Sequence, residues 1–174
     1  MQTSAESIYA AGDCSSQVCE LSGMSVFVPL GTNANRQGRF VADKILGKEV
    51  EYKVLQTAML RTIGCEAART GLTEAQASKA GYNPGGITID TTTHPEYFEY
   101  SYPIRIKVCY DLDTKVLLGA QIFGKKESVW RIGIFACAIQ NRMKSDELGK
   151  LDLGYAPPFT EVWDPVQIAA NVAR

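Results

Sequence analysis

From Ile104 to Val108 apolar residues alternate with Arg105 and Lys107, a period of two that predicts a strand with basic residues outward. Asp111-Leu112-Asp113-Thr114-Lys115 then supplies turn chemistry, and Val116 to Phe123 returns as a second strand, so a β-hairpin is expected. Ile87 to Thr91 alternates in the same way, and Ala58 to Ala67 reads as one strand of small and branched residues. Elsewhere the period is helical. Trp130, Ile134, Phe135 and Ala138 recur at helical spacing between Ser128 and Met143. Thr73 to Ala80 predicts a short helix with Thr73 as N-cap, an acid in its first turn and Gly81 at its end. Ser145 to Lys150 predicts another, opened by a Ser-x-x-Glu-like cap. Hairpin strands followed by segregated helices imply an α+β domain, an antiparallel sheet with helices packed on one face.

Residues 1–48 follow a different pattern and read as a separate piece. Ser7 to Ala11 is short and apolar, the mark of a buried strand, and Gly12-Asp13 ends it. A carboxylate at the C-terminal end of a strand stands where α/β folds bind nucleotide cofactors. After a loop through Gly23 and the apolar Val26-Phe27-Val28, Thr32 or Asn33 is expected to cap a helix from Ala34 to Leu46 that Gly47 closes. Val41 and Ile45 give that helix an apolar stripe. The boundary expected near residue 48 leaves 49–174 as the second domain.

Composition narrows the function. A chain of 174 residues with 45% hydrophobic content can bury a core, and a formal net charge of -1 gives no electrostatic case for nucleic acid or an anionic membrane. No run approaches a membrane span, the first residues do not read as a signal peptide, and a cytoplasmic protein is expected. The five cysteines, Cys14, Cys19, Cys65, Cys109 and Cys137, form no CxxC pair. Dispersed thiols in odd number fit a reducing compartment, although Cys14 and Cys19 have the spacing of a redox pair. With a single histidine, His94, no zinc site is expected.

Three segments carry candidate chemistry. Asp13 can accept hydrogen bonds from a sugar hydroxyl, and a charged acceptor strengthens such a bond. The helix beginning near Thr32, Asn33 and Ala34 offers unpaired N–H groups and positive dipole character to an electron-rich ring. Tyr155-Ala156-Pro157-Pro158-Phe159-Thr160-Glu161-Val162-Trp163 is a Pro-Pro-stiffened loop with three aromatics, suited to closing over a ligand. A tyrosine hydroxyl there can orient a sulfur leaving group without titrating at neutral pH.

These segments resemble the C-terminal part of FAD-dependent pyridine nucleotide–disulfide oxidoreductases, especially the coenzyme A-disulfide reductase and NADH oxidase branch. The likeness covers essentially the whole chain and is densest at 3–13, 29–48 and 151–173. It implies that residues 1–48 are the tail of an FAD-binding domain and 49–174 a homodimerisation domain. Gly12 and Asp13 would grip the ribityl chain of FAD, with Thr32, Asn33 and Ala34 under the isoalloxazine ring and Tyr155 also bordering the cofactor. Asn35 stands where a histidine can occur in the family and would lie near the substrate with Tyr97 and Trp163. Tyr155-Ala156-Pro157-Pro158-Phe159 matches the family's tyrosine segment fully, and His94-Pro95-Glu96-Tyr97-Phe98-Glu99 matches the other in part. Tyr155 and Tyr97 would assist a nucleophilic cysteine that lies outside this chain, while His94 reads as a loop histidine. NAD(P)H would reduce FAD, and FAD the cysteine, which cleaves a disulfide, persulfide or peroxide. The fragment by itself is expected to be inactive. The competing expectations are a free-standing dimerisation module without cofactor and a thiol protein using Cys14 and Cys19.

Overall fold

The computed structural model describes residues 1–173, and the chain divides into two compact units, Met1–Gln56 and Thr57–Arg174. In the first unit β1 (Gln17–Cys19) pairs antiparallel with β2 (Ser25–Val26) and parallel with β3 (Lys53–Val54). That parallel pairing ties Lys53–Val54 to the first compact unit, which runs to Gln56. Helix α1 spans Gly31–Ile45. Its N-cap is Leu30, which makes no side-chain cap, so Thr32 and Asn33 sit inside the first turn rather than at its entrance. Gly47 closes it as expected, with the Lys48 amide bonded back to the Asp43 carbonyl at 3.0 Å.

Two expectations for this unit fail. Ser7 to Ala11 is not a buried strand: Ser7 adopts φ 62°, Ile8 is exposed, and a lone bridge joins Gln2 to Tyr9. The apolar run has no neighbouring ladder among the described residues, and a strand without one loses its backbone partners. The buried side of α1 is also not the Val41–Ile45 stripe. Asn33 and Gln37 are its buried residues, whereas Ile45 and Leu46 are exposed.

The second unit is a five-stranded antiparallel sheet in the order β4 (Ala58–Thr62), β5 (Cys65–Gly71), β8 (Leu117–Gly124), β7 (Pro103–Asp111), β6 (Pro84–Thr92). Where one strand was expected over 58–67, β4 (Ala58–Thr62) and β5 (Cys65–Gly71) form a hairpin. Gly64 makes the reversal at φ 73°, a conformation that costs a residue without Cβ little. Helix α2 (Glu74–Lys79) has the expected Thr73 cap, completed by Gln76 in a capping box. Strand β6 (Pro84–Thr92) pairs along its length with β7 (Pro103–Asp111), which pairs in turn with β8 (Leu117–Gly124). The apolar positions of the period-two pattern, Ile104, Ile106, Val108, Ala120 and Ile122, all point to one face and are buried.

That face is covered by helices. A 3-10 turn, Val129–Arg131, leads into α3 (Ile132–Gln140), whose Ile132, Phe135, Ala138 and Ile139 are buried; α3 packs on β8 and β5. The expected long helix from Ser128 is therefore a turn plus a shorter helix, and Trp130 projects to solvent at 75% exposure. Helix α4 (Ser145–Leu148) follows, entered from Lys144 rather than capped by Ser145. Helix α5 (Pro165–Val172) packs on β6 and β7 and was not anticipated from the pattern. Its signals are Asp164 as N-cap, Pro165 at the first helical position and Gln167 completing a capping box.

The opposite face stays open. Leu60, Ala67, Arg69, Arg105, Lys107 and Phe123 line a hollow of about 650 Å3 there. No helix among the described residues is long and apolar enough to cross a membrane. Sheet closure depends on Gly119, because a methyl group added there would overlap the Leu72 carbonyl oxygen, a backbone atom that cannot swing aside. Gly119→Ala is expected to destabilise the second unit by about 3 kcal/mol, an overpacking cost with no side-chain relief. Urea denaturation measures it, and an unchanged midpoint would refute this view of the β5–β8 contact.

Candidate functional site

The C-terminal loop owes its shape to what is buried beneath it. A turn around Pro157-Pro158 is closed by the Phe159 amide on the Ala156 carbonyl, 2.8 Å. Thr160 and Asp164 point inward and are buried, whereas Tyr155, Phe159 and Trp163 are 46, 75 and 56% exposed. These aromatics therefore belong to a surface and not to the core. Asp164 performs two tasks at once. One carboxylate oxygen accepts from the Val166 amide at 2.8 Å, capping α5, and both accept from Arg131 Nε at 3.3 and 3.0 Å. The Thr160 hydroxyl donates to Asp164 Oδ2 at 2.7 Å.

A second loop, 93–102, is closed just as locally. The Thr93 amide donates to the Tyr102 carbonyl at 2.8 Å, and the Tyr102 amide donates to Thr93 Oγ1 at 3.0 Å. The hydroxyls of Thr92 and Ser101 both donate to the His94 carbonyl at 2.8 Å. His94 is 2% exposed, its Nδ1 is 2.9 Å from Thr93 Oγ1, and its ring stacks on Phe98 with centroids 5.7 Å apart. The histidine pins the loop and is withheld from solvent. Tyr97, at the tip, is 77% exposed.

The two loops bring Tyr97 and Tyr155 together. The Tyr155 phenol is held above the usual tyrosine range by partial loss of solvent, then by the charge and hydrogen bond of Tyr97, and then by the Glu161 carboxylate. Tyrosine hydroxyls so placed can donate hydrogen bonds to an anionic sulfur or oxygen.

In the first unit the Gly12–Asp13 turn is tied to α1. Gln37 Oε1 accepts from the Gly12 amide at 2.7 Å and lies 3.1 Å from the Ser15 hydroxyl. A Cβ at Gly12 would stand 3.8 Å from that of Ala34, so turn and helix meet through small residues. Asp13, Thr32 and Asn35 are exposed. Asn33 is committed internally: its side chain donates to the Val28 carbonyl and accepts from the Tyr52 hydroxyl at 2.9 Å. The amides of Asn33 and Ala34 already donate to the Leu30 carbonyl, which leaves those of Gly31 and Thr32 as the open ones of the first turn. Neither Gln37 nor the Arg131–Asp164 core was found by sequence reasoning. The capping signature at Asp164 was the one local signal.

All five cysteines are free, with Cys14 and Cys137 exposed and Cys19 and Cys109 buried. Cys19 lies within β1 and Cys14 in the loop before it, where its thiol donates to the Ala11 carbonyl.

A family model described as the pyridine nucleotide-disulphide oxidoreductase dimerisation domain matches residues 61–166, and the chain belongs to that family. The NAD(P)H sulfur oxidoreductase (CoA-dependent) of Pyrococcus furiosus is 37% identical over 175 residues, covering 100% of this chain and 39% of the relative. An NADH oxidase of Methanocaldococcus jannaschii is 33% identical over 99% of this chain and 39% of its own length. Among solved structures, an NAD-dependent persulfide reductase from A. fulgidus superposes with a TM-score of 0.93 at 36% identity, over 99% of this chain and 32% of that one. The chain thus spans well under half the length of these relatives.

Burial pushes the Cys109 thiol up to about 11, with the Glu74 carboxylate adding to the effect and Lys107 opposing it. The thiol is raised in the folded state, so its contribution to stability is whole below the ordinary thiol value of 9.0 and declines as pH climbs toward 11. Reagent titration of the native chain at neutral pH should modify Cys14 and Cys137 rapidly, and Cys109 only on unfolding. Rapid labelling of Cys109 in the folded chain would contradict its burial.

Proposed function

We propose that this chain is the C-terminal part of an FAD-dependent NAD(P)H oxidoreductase that reduces a small-molecule disulfide, persulfide or peroxide. Its first unit is the tail of the FAD-binding domain and its second the homodimerisation domain. The observation that carries the reading is the Tyr97–Tyr155 pair, assembled from two loops that no shared ladder joins. The names of the relatives, a CoA-dependent sulfur oxidoreductase and a persulfide reductase, favour a sulfur substrate among the three.

The first unit fits FAD on its own geometry. Gly12 meets Ala34 of α1 through small residues, and Asp13, the next residue, is exposed. Asp13 would accept from a ribityl hydroxyl, and the open amides of Gly31 and Thr32 would oppose negative charge on the ring. When bound, the flavin supplies the two-electron link between the nicotinamide and the sulfur centre. Tyr97 and Tyr155 would then hold the substrate sulfur by hydrogen bonds, with Trp163 as a further pocket residue. The nucleophilic cysteine would come from outside this chain.

In an enzyme assembled from this chain and the flavin- and nicotinamide-binding part of a relative, Tyr155→Phe is expected to lower turnover roughly ten- to a hundredfold. That is the range for losing one well-placed hydrogen bond in a partly dry site. Flavin content and dimerisation should hardly change. If reduction of disulfide, persulfide and peroxide all persist undiminished, the loop has a structural role and the reading is wrong. Purified alone, the chain is expected to retain no stoichiometric flavin, since one ribityl acceptor and two helix-end amides are few contacts for a dinucleotide. Absorbance in the flavin band checks this, and a yellow one-to-one preparation would overturn it. Sedimentation of the chain alone should give a dimer through the second unit, where Leu60, Phe123 and Trp130 are exposed.

A further inference from the structure

The loops bearing Tyr97 and Tyr155 contain neither strand nor helix over 93–102 and 151–164. Something other than a backbone ladder must fix one against the other. Arg131, 8% exposed, stands beneath both. Its Nη2 donates to the Thr93 carbonyl at 3.0 Å, at the root of the Tyr97 loop, and to Thr160 Oγ1 at 3.3 Å, in the Tyr155 loop. Nε donates to the Asp164 carboxylate, and Nη1 donates to the Glu127 carbonyl at 3.1 Å. The Thr160 hydroxyl donates its hydrogen bond to Asp164 and so keeps a lone pair to accept from Arg131, which makes the network directionally consistent.

We propose that Arg131 is a positioning residue that sets the Tyr97–Tyr155 pair: one planar guanidinium binds the bases of both tyrosine loops and thereby holds the two phenols in register. The proposal rests on the reading of Tyr155 as a substrate-orienting residue only for its consequence in turnover. The positioning itself concerns this chain alone. Guanidinium is suited to the task because its donors lie in a rigid fork reaching several acceptors in one plane, which a lysine ammonium cannot reproduce. Arg131→Lys keeps a charge for Asp164 while giving up the fork that spans Thr93 and Thr160. Thr160→Val is the milder variant, since it leaves the Arg131–Asp164 pair whole and removes the bridge to the Tyr155 loop.

The test is a pH titration of the full chain carrying 13C at the tyrosine ζ carbon, following the Tyr155 resonance. Tyr97→Phe provides the reference for a Tyr155 phenol released from its neighbour, with a midpoint moved down toward the ordinary tyrosine value. Arg131→Lys is expected to move the midpoint the same way, and to add nothing further when combined with Tyr97→Phe. A native circular dichroism spectrum with Tyr155 titrating as in the parent chain overturns the proposal. If Arg131→Lys does not fold, Thr160→Val must show the downward shift, and an unchanged midpoint there is equally fatal. In the assembled enzyme, Arg131→Lys should lower kcat about three- to tenfold when Tyr155 is present and less than about twofold in the Tyr155→Phe background. Should Tyr155→Phe leave turnover intact, the functional reading fails while the titration still decides whether Arg131 sets the pair.

Discussion

The buried pair of Arg131 and Asp164 is the constraint on which the functional end of the second unit depends. Both side chains are about nine-tenths buried, and two ions removed from water are stable only when their remaining donors and acceptors are also satisfied. That condition is met here: the Asp164 carboxylate takes Arg131, the Thr160 hydroxyl and the Val166 amide, while Arg131 also serves the Thr93 and Glu127 carbonyls. The same carboxylate caps α5, so the docking of that helix on β6 and β7 and the course of the C-terminal loop are a single problem. Removing one partner would leave the other as an uncompensated buried charge, a cost of about 3–5 kcal/mol.

The sheet above which this pair sits is used asymmetrically. Helices α3 and α5 cover the face lined by Ile104, Ile106, Val108, Ala120 and Ile122. On the open face Arg105 is paired with Asp90 and Lys107 with Glu74, between the exposed Leu60 and Phe123. Charges paired in place beside apolar side chains cost less to cover than unpaired charges would. A family whose matching segment is a dimerisation domain is in keeping with that asymmetry. The first unit shows the complementary case: α1 buries Asn33 and Gln37 and turns Ile45 and Leu46 outward, so its local order rests on hydrogen bonds more than on an apolar core.

The elements legible in the chain are those specified by neighbours in sequence. The β7–β8 hairpin followed from alternation and an Asp-rich turn, and α2 from Thr73, Glu74 and Gly81, because each signal acts over a few residues. Failures arose where the deciding partner was elsewhere. Ser7 to Ala11 has strand composition but no ladder within the described residues. Within Ala58 to Ala67 a single glycine marks the reversal, and that reversal at Gly64 depends on β4 and β5 finding each other. Trp130 has helical spacing with Phe135 yet lies on a 3-10 turn whose geometry rotates it outward. Helix α5 was hidden because Asp164-Pro165 read as the end of a loop instead of the start of a helix.

For the candidate site the division is similar. The chain by itself determined which groups could act: the Gly12–Asp13 pair, a helix beginning near Thr32, and tyrosines at 97 and 155 in recognisable segments. It also determined the α+β class, since the side-chain period is a local property of strands and helices. Only the tertiary structure joined Tyr97 to Tyr155, withdrew His94 into a stack with Phe98, and committed Asn33 to Val28 and Tyr52. Arg131 is 33 residues from Asp164 and 38 from Thr93, and nothing in the intervening pattern marks them as partners. Such a pairing is selected by burial, where an unpaired charge or carbonyl is costly, and burial exists only once the sheet, the helices and both loops have closed around it.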